Sequence, residues 1–192
     1  DGLLSTKDIN CHPVFNSGKI EFQKMIEFKT PLLKKVCQNF EKHSSQDIRN
    51  LYEIFCINND YWLNDFSRFW AFKQENSQKS WIDWGSGEIK NPLLVNYAKI
   101  IQFLFHKQWD QLRKYCQNRE ILIIGDMPIY VSYDSADVWA NSELFQLDES
   151  KNMQFQSGSP PCKFNKEGQI WENPLYNWPV HEENNFKWWE MR

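Results

Sequence analysis

An aspartate at the end of an apolar run is the first residue whose position suggests chemistry. Residues 121–124 read Ile-Leu-Ile-Ile, Gly125 follows, and Asp126 comes next. A mostly β-branched run without alternation is typical of a strand buried on both faces of a parallel sheet. Because ligands of such sheets and barrels bind beyond the carboxyl ends of the strands, Asp126 is placed to meet a substrate. The alternative is that Asp126 has a structural role and only accepts hydrogen bonds from a turn, and its position fits both roles equally well.

A polar loop near the end of the chain carries large aromatic rings. Residues 157–178 contain prolines and glycines that stiffen or bend the backbone, and their rings lack the helical spacing of core residues. These rings belong to Phe164, Trp171, Tyr176 and Trp178. Sugars stack their C–H faces on aromatic rings and need amide and carboxylate partners, here Gln169, Asn173 and Asp126. The loop therefore predicts a carbohydrate site, and a cover over the end of the core is the alternative.

A second acidic cluster favours a structural role. Asp134, Ser135 and Asp137 precede Val138 and Trp139 in a pattern typical of helix capping. No group of histidines and carboxylates has the spacing of metal ligands. We therefore expect neither a metal nor an organic cofactor.

Helical patterns dominate the first two thirds of the chain. Thr30 before Pro31 is typical of an N-cap followed by proline at the first helical position. Apolar residues at helical spacing then predict a helix over residues 31–40. Ser44 with Asp47 resembles a capping box, which predicts a second helix.

Two further helices are predicted before the apolar run. Asn59 or Asp60 is the candidate cap of a third helix. The buried stripe predicted for it consists of Trp62, Leu63, Phe66, Phe69 and Trp70. Aromatic residues at helical spacing indicate core rather than a ligand site. Asn91 and Pro92 begin the clearest helix, which we expect to run about seven turns to Asn118.

Composition and charge exclude several classes of partner. The chain has 192 residues, of which 41% are hydrophobic, and 22 basic and 25 acidic residues give a net charge of −3. These values are typical of a soluble globular protein and offer no electrostatic footprint for nucleic acid or an anionic membrane. The apolar runs are far shorter than the roughly 20 residues that span a bilayer.

Cysteine usage favours a reducing compartment. The five cysteines are odd in number and lack C-x-x-C spacing, so we expect free thiols in the cytoplasm. The first residue is Asp1 and no charged-then-apolar leader follows it. We therefore expect no secretory signal and a start inside a longer sequence.

Four sequence motifs follow one another in the second half of the chain. They are Gly-Asp-Met-Pro-Ile-Tyr-Val at 125–131, Asp-Ser-Ala-Asp-Val-Trp-Ala-Asn at 134–141, Glu-Leu-Phe-Gln-Leu-Asp at 143–148 and Gly-Gln-x-Trp-x-Asn-Pro-Leu-Tyr-Asn-Trp at 168–178. The motifs and their order resemble the 4-α-glucanotransferases, also called amylomaltases or disproportionating enzymes. The resemblance is strong from about Trp81 onward and looser before it.

The resemblance implies an α/β fold, a partial (β/α)₈ TIM barrel with helical insertions. Residues 1–118 would form mainly the helical insertion region, and residues 119–192 a barrel strand with substrate-binding loops. The implied reaction is the retaining transfer of α-1,4-glucan segments to the 4-hydroxyl of a glucan or glucose, in the cytoplasm or a plastid. By the same resemblance, Asp126 binds sugar at the cleavage subsite. The residues implied to border the donor and acceptor sites are Phe164, Gln169, Trp171 and Asn173.

The chain departs from the family pattern in its loop and at its end. Cys162 and Lys163 stand where the family usually has Asp-Tyr, and Glu172 stands where it usually has Gly. The family's nucleophilic aspartate follows the helix that residues 186–190 resemble, and its acid/base glutamate comes later, whereas this sequence ends at Arg192. We therefore expect an internal fragment that is inactive alone. The alternatives are a glucan-binding protein without catalytic carboxylates and a helical module whose aromatic residues face a protein partner.

Overall fold

The computed structural model describes residues 2–85 and 87–192, and most of its regular structure is helical. The helices are α1 Thr6–Asn10, α2 Phe22–His43, α3 Gln46–Asn58, α4 Asp60–Glu75, α5 Pro92–Gln117, α6 Ala136–Ala140, α7 Trp178–Glu183 and α8 Lys187–Met191. Short 3₁₀ helices cover Trp81–Asp83 and Ser142–Leu144. Strands β1 Gln156–Ser159 and β2 Gln169–Pro174 pair antiparallel. No helix among these residues has both the length and the apolarity that crossing a membrane requires.

The chain divides into two compact units. The first comprises the chain up to Leu63 together with Pro92–Ile123, and the second comprises Asn64–Asn91 together with Ile124–Arg192. Every residue of the predicted site lies in the second unit.

The core of the first unit is aromatic and lies where α2 and α3 each contact α5. The ring of Phe103 packs edge-on against Phe40 at 5.9 Å and against Tyr52 at 5.6 Å. Phe55, which is 5% exposed, completes this group at 5.7 Å from Phe103. Edge-to-face rings at these separations combine apolar burial with favourable quadrupole geometry. The Tyr52 hydroxyl stays hydrogen-bonded by donating to Asn96 Oδ1 at 2.7 Å.

The long helix predicted after Asn91 is confirmed. Helix α5 begins at Pro92 and ends at Gln117, which makes 26 residues and about seven turns. The helix predicted over 31–40 is longer than expected, because α2 begins at Phe22 and contains Pro31 in its interior. Proline removes one backbone hydrogen bond, but the turns on both sides continue the helix past it.

The predicted helix caps are confirmed only in part. Ser45 rather than Ser44 is the N-cap of α3, and its side chain makes no capping hydrogen bond, so the capping box predicted with Asp47 is wrong. Ser135 caps α6 as predicted, since its Oγ accepts from the backbone N–H of Val138 at 3.3 Å. Asp134 accepts from Lys73 Nζ at 2.6 Å, which gives this acid a structural partner.

The aromatic stripe predicted for the third helix is buried unevenly. Leu63 is 0% and Phe69 8% exposed, so both side chains are buried. Trp62, Phe66 and Trp70 are half-buried. The prediction that these residues pack rather than bind a ligand fits their burial.

Residues 121–124 do not form the buried strand that the sequence predicts. Leu122 is 90% and Ile124 94% exposed, and no strand is formed here. A strand satisfies its backbone groups only by pairing with a neighbour. Within residues 2–85 and 87–192 the sheet consists of β1 and β2, and neither of them pairs with this segment. The prediction of a strand buried on both faces is therefore wrong for the chain by itself.

The second unit closes around a small core that lies behind the aromatic loop. The buried residues of this core are Val131, Val138, Leu144, Phe145 and Tyr176. Phe145 and Tyr176 form an isolated antiparallel bridge and their rings lie 5.4 Å apart. Trp188 and Trp189 of α8 pack against the same core. Tyr176, two residues after the end of β2, therefore belongs to this core.

Candidate functional site

A close approach of two backbones builds the hairpin that carries most of the predicted site. Gly158 in β1 pairs with Ile170 in β2, and a Cβ at position 158 would lie 2.4 Å from the carbonyl oxygen of Gln169. No side chain fits at that distance, so this position requires glycine. Gly168 directly precedes β2 and has φ +73°, where glycine is again favoured. The two glycines therefore permit the turn and the close strand pairing that place Gln169 at the start of β2.

Gln169 and Trp171 form a hydrogen-bonded pair on one face of β2. Residues two apart in a strand point to the same face. The indole Nε1–H of Trp171 donates to Gln169 Oε1 at 2.8 Å, and the Trp171 residue is 44% exposed. This bond holds the ring in one orientation and leaves the amide N–H groups of Gln169 to donate elsewhere. The pair therefore presents an aromatic face and hydrogen-bond donors side by side.

A bulge separates this pair from Asn173. The β1–β2 register shifts between Gln156 and Gly158, so that β2 carries extra residues there. Glu172 lies in this stretch with φ +55°, a left-handed conformation that costs a non-glycine residue free energy. Asn173 follows the bulge and is half-buried, so strict alternation does not assign its side chain to the face of Trp171. The departure from glycine at position 172 is thus accommodated with backbone strain.

Phe164 lies at the exposed tip of the loop between the two strands. Its residue is 87% exposed, and Lys163 Nζ lies 4.8 Å from the centre of its ring. A ring this open does not cover the core, which excludes the alternative explanation for this residue. Tyr176 is 3% exposed and does belong to the core. The aromatic residues of the loop thus divide into an exposed group and a buried group.

Asp126 lies in an exposed segment without regular secondary structure. Within residues 2–85 and 87–192, no group is hydrogen-bonded or ion-paired to its carboxylate. An acid that served only a turn would accept such bonds, so that alternative does not describe this structure. The carboxylate is therefore available to a ligand.

Two tyrosines connect the Asp126 segment to Trp171. Tyr176 is one of the loop rings from which the sequence predicts a carbohydrate site, whereas the sequence pattern does not identify Tyr130 as a site residue. The Tyr130 ring lies 6.1 Å from the Trp171 ring and is stacked on Tyr176 at 5.9 Å with an interplanar angle of 9°. The Tyr176 hydroxyl donates to the carbonyl oxygen of Ile129 at 2.9 Å. Tyr130 lies in the same 125–131 motif as Asp126. That proximity is the feature of the sequence that could have identified Tyr130 as a site residue.

A buried histidine packs against Tyr176 and Leu144 of the core of the second unit. His181 is 1% exposed, and its Nε2–H donates to the carbonyl oxygen of Leu144 at 3.1 Å, because a carbonyl can only accept. Burial lowers the pKa of His181, so the ring is neutral near neutral pH. Among the residues that the structure describes, neither His181 Nδ1 nor the Trp189 indole N–H has a hydrogen-bond partner. Protonation of His181 would place an uncompensated charge among aromatic rings.

The site residues show no arrangement for a metal. No group of three or more His, Cys, Asp or Glu residues able to hold a metal ion occurs in the described part of the chain. All five cysteines are free thiols, and Cys162 in the loop is exposed. The chemistry that the arrangement offers is therefore stacking, hydrogen bonding by amides and a single unpaired carboxylate.

The comparisons with known proteins agree over the whole chain. The family described as 4-alpha-glucanotransferase matches residues 1–192. The 4-alpha-glucanotransferase of Aquifex aeolicus is 38% identical over 205 residues, which span 100% of this chain and 40% of that protein. A chloroplastic/amyloplastic 4-alpha-glucanotransferase of Oryza sativa is 37% identical and is covered to 34% of its length.

A solved structure supports the same relationship. The amylomaltase of Streptococcus agalactiae, determined in complex with acarbose, superimposes with a TM-score of 0.88 and 33% identity. The match covers 98% of this chain and 40% of that protein. The chain therefore spans about two fifths of the length of these relatives.

Proposed function

The chain belongs to the 4-alpha-glucanotransferase family, and on that premise we propose that it serves the transfer of α-1,4-glucan segments to the 4-hydroxyl of an acceptor glucan or glucose. The observation that carries the proposal is the exposed Trp171 ring fixed by Gln169. A pyranose ring offers C–H groups that stack on an indole and hydroxyls that accept from an amide. Maltooligosaccharides and α-1,4-glucans are the ligands that this pair suits.

The proposed site consists of the five residues predicted from the sequence, which are Asp126, Phe164, Gln169, Trp171 and Asn173. Asp126 would accept hydrogen bonds from sugar hydroxyls at the cleavage subsite, because none of the described residues bonds to its carboxylate. Phe164 would contact the glucan from the loop tip, since its ring is exposed. Asn173 has the weakest geometric support because it lies beyond the bulge.

The reaction itself needs groups that we do not assign to this chain. Retaining transfer uses one carboxylate as nucleophile and a carboxylic acid that protonates the leaving oxygen. The covalent glycosyl intermediate then reacts with a sugar hydroxyl rather than water, which requires a positioned acceptor and a site that excludes water. We propose that the chain works as part of a longer polypeptide that supplies both carboxyl groups, because it spans 40% of its relatives.

We propose a partial (β/α)₈ barrel for the fold of the chain in that polypeptide. Residues 1–118 would form mainly the helical insertion region, and residues 119–192 a barrel strand with substrate-binding loops. The exposed residues 121–124 support this proposal, because a strand with neighbours on both sides would bury them. A structure of the longer polypeptide in which residues 121–124 remain unpaired would contradict the barrel assignment.

We propose the cytoplasm as the location, with a plastid as the alternative that the rice relative's description suggests. Five free thiols suit a reducing compartment. Cell fractionation with an antibody to the chain distinguishes the two locations.

Incubation of the full-length protein with maltotriose tests the function. Glucose and maltodextrins longer than maltotriose are expected to appear together, because transfer lengthens one chain as it shortens another. Glucose and maltose alone would indicate hydrolysis and contradict the proposal. Binding of maltotriose without any product would favour a glucan-binding protein.

A further inference from the structure

Within the described residues, the segment that carries Asp126 is held by a side-chain hydrogen bond rather than by backbone pairing. Residues 124–131 form no backbone–backbone hydrogen bond with any other part of the chain that the structure describes. The hydrogen bond that does reach this segment comes from the Tyr176 hydroxyl, which donates to the carbonyl oxygen of Ile129 at 2.9 Å. Ile129 lies three residues after Asp126. Val131 anchors the end of the segment in the core, and the Tyr176 hydroxyl, which is remote in sequence, holds the stretch between Asp126 and Val131.

Tyr176 is itself firmly anchored. It is 3% exposed, its backbone pairs with Phe145 in an isolated bridge, and its carbonyl oxygen accepts from Gln146 Nε2 at 2.9 Å. Burial raises the pKa of its hydroxyl, so that group remains a donor at neutral pH. The residue therefore has a fixed backbone, a packed ring and a defined donor.

A second contact links the same two parts through stacked rings. Tyr130 lies between Tyr176, at 5.9 Å, and Trp171, at 6.1 Å. Moving the segment away from Tyr176 would therefore also move the Tyr130 ring away from the Trp171 ring. The Tyr176 hydroxyl therefore holds the segment that carries Asp126, and the Tyr176 ring holds Tyr130 beside Trp171.

We propose that Tyr176 is a positioning residue that fixes the Asp126 segment against the Trp171 ring for glucan transfer. This inference rests on the proposed function. Tyr176 contacts no substrate in this scheme and acts through Ile129 and Tyr130.

The test uses Tyr176→Phe in the full-length enzyme, alone and combined with Asp126→Asn. Loss of one neutral hydrogen bond is expected to lower kcat for maltotriose disproportionation roughly fivefold while KM stays within about twofold. In the Asp126→Asn background, Tyr176→Phe is expected to cause no further fall, because the residue it positions has already lost its charge. A merely structural role would lower kcat by the same factor in both backgrounds.

Tyr133→Phe is the matched control. Its hydroxyl also donates to a backbone carbonyl, that of Lys151 at 2.7 Å, but the bond does not reach the Asp126 segment. This variant is expected to keep the parent kcat. Limited proteolysis mapped by mass spectrometry is expected to cleave residues 124–131 faster in Tyr176→Phe than in Tyr133→Phe, and this readout does not require activity.

The outcomes separate the inference from the function on which it rests. Three results with an active parent enzyme would overturn the positioning role alone. They are an unchanged kcat in Tyr176→Phe, the same fold loss of kcat in the parent and Asp126→Asn backgrounds, and equal cleavage of residues 124–131 in Tyr176→Phe and Tyr133→Phe. A parent protein that transfers no glucosyl units would overturn the proposed function and the role of Tyr176 with it.

Discussion

The indole nitrogen of Trp171 and the side-chain oxygen of Gln169 lie 2.8 Å apart on β2, in a hydrogen bond between neighbours on one strand face. The bond removes rotational freedom from an exposed ring before any ligand arrives. A ligand that stacks on a pre-oriented ring loses less free energy to ordering than one that must fix a mobile ring. The pair is therefore the natural place to test binding.

Replacing the Trp171 ring should weaken glucan binding. We expect Trp171→Ala to cost about 1–3 kcal/mol of maltotriose affinity, by analogy with stacking of bases on aromatic side chains, because the stacking surface is lost. Isothermal titration calorimetry measures this change. Ile170→Ala is the control, since Ile170 is the exposed neighbour on β2 at 76%. Equal affinities of Trp171→Ala and the parent would remove the ring from the site.

Neutralising Asp126 should affect turnover. We expect Asp126→Asn to lower kcat of the full-length enzyme by about 10²-fold, a loss comparable to that of one electrostatic stabiliser of a transition state. Steady-state kinetics with maltotriose measures this effect. Glu149→Gln, a change at another exposed acid of the same unit, should leave kcat unchanged. A normal kcat for Asp126→Asn would show that this acid does not stabilise the reaction.

Adding a methyl group at Gly158 should disturb the hairpin. The new Cβ would lie 2.4 Å from the Gln169 carbonyl oxygen, so the strands must separate. We expect Gly158→Ala to lower the free energy of unfolding by on the order of 1–3 kcal/mol and to weaken maltotriose binding. Thermal melting and calorimetry measure these two effects. Gly85→Ala provides the comparison, because its Cβ would meet no atom within 4 Å. Identical behaviour of the two variants would contradict the steric argument.

Restoring glycine at position 172 should stabilise the chain. Glu172 adopts φ +55°, where a side chain is disfavoured by about 1 kcal/mol, so we expect Glu172→Gly to gain roughly that amount. Urea unfolding measures the gain. Glu143→Gly in the 3₁₀ helix Ser142–Leu144 should instead lose stability. Glycine increases the conformational entropy of the unfolded chain, and Glu143 has no left-handed backbone conformation that glycine would relieve. A loss in both variants would show that Glu172 makes a compensating interaction.

The buried histidine should make stability depend on pH. Burial holds the pKa of His181 below its ordinary 6.5, so below that pH the unfolded chain binds a proton that the folded chain excludes. The contribution of neutral His181 to the free energy of unfolding is complete above pH 6.5. It decreases as the pH falls from 6.5 toward the pKa that His181 has in the folded chain. Melting temperatures between about pH 7.5 and 5 measure this decrease, which should be smaller in His181→Gln.

His12→Gln is the control for that measurement. His12 is exposed, so its replacement should leave the slope of melting temperature against pH as in the parent. A parent-like slope in His181→Gln would mean that other groups cause the acid sensitivity.

The local elements could be predicted where the signal is short-range. Pro92 after Asn91 and a long apolar period specified α5. The glycines and prolines of residues 157–178 predicted a bent loop, but not that β1 and β2 pair as a hairpin. The start of α2 could not be predicted from Pro31, because one proline costs a hydrogen bond without ending a helix that continues on both sides. Strand formation by residues 121–124 also could not be decided locally, since a strand needs a partner.

The sequence by itself determined the family and supplied the residues of the proposed site. Motifs are properties of short stretches, so they can be recognised without knowledge of the fold. The close approach of Gly158 to the Gln169 carbonyl oxygen depends on strand pairing and was decided by the structure. Only the tertiary structure decided that the Tyr176 hydroxyl reaches Ile129 and that Tyr176 is core whereas Phe164 is exposed. These facts depend on which distant segments pack together, and packing is set by the sum of many weak contacts across the unit.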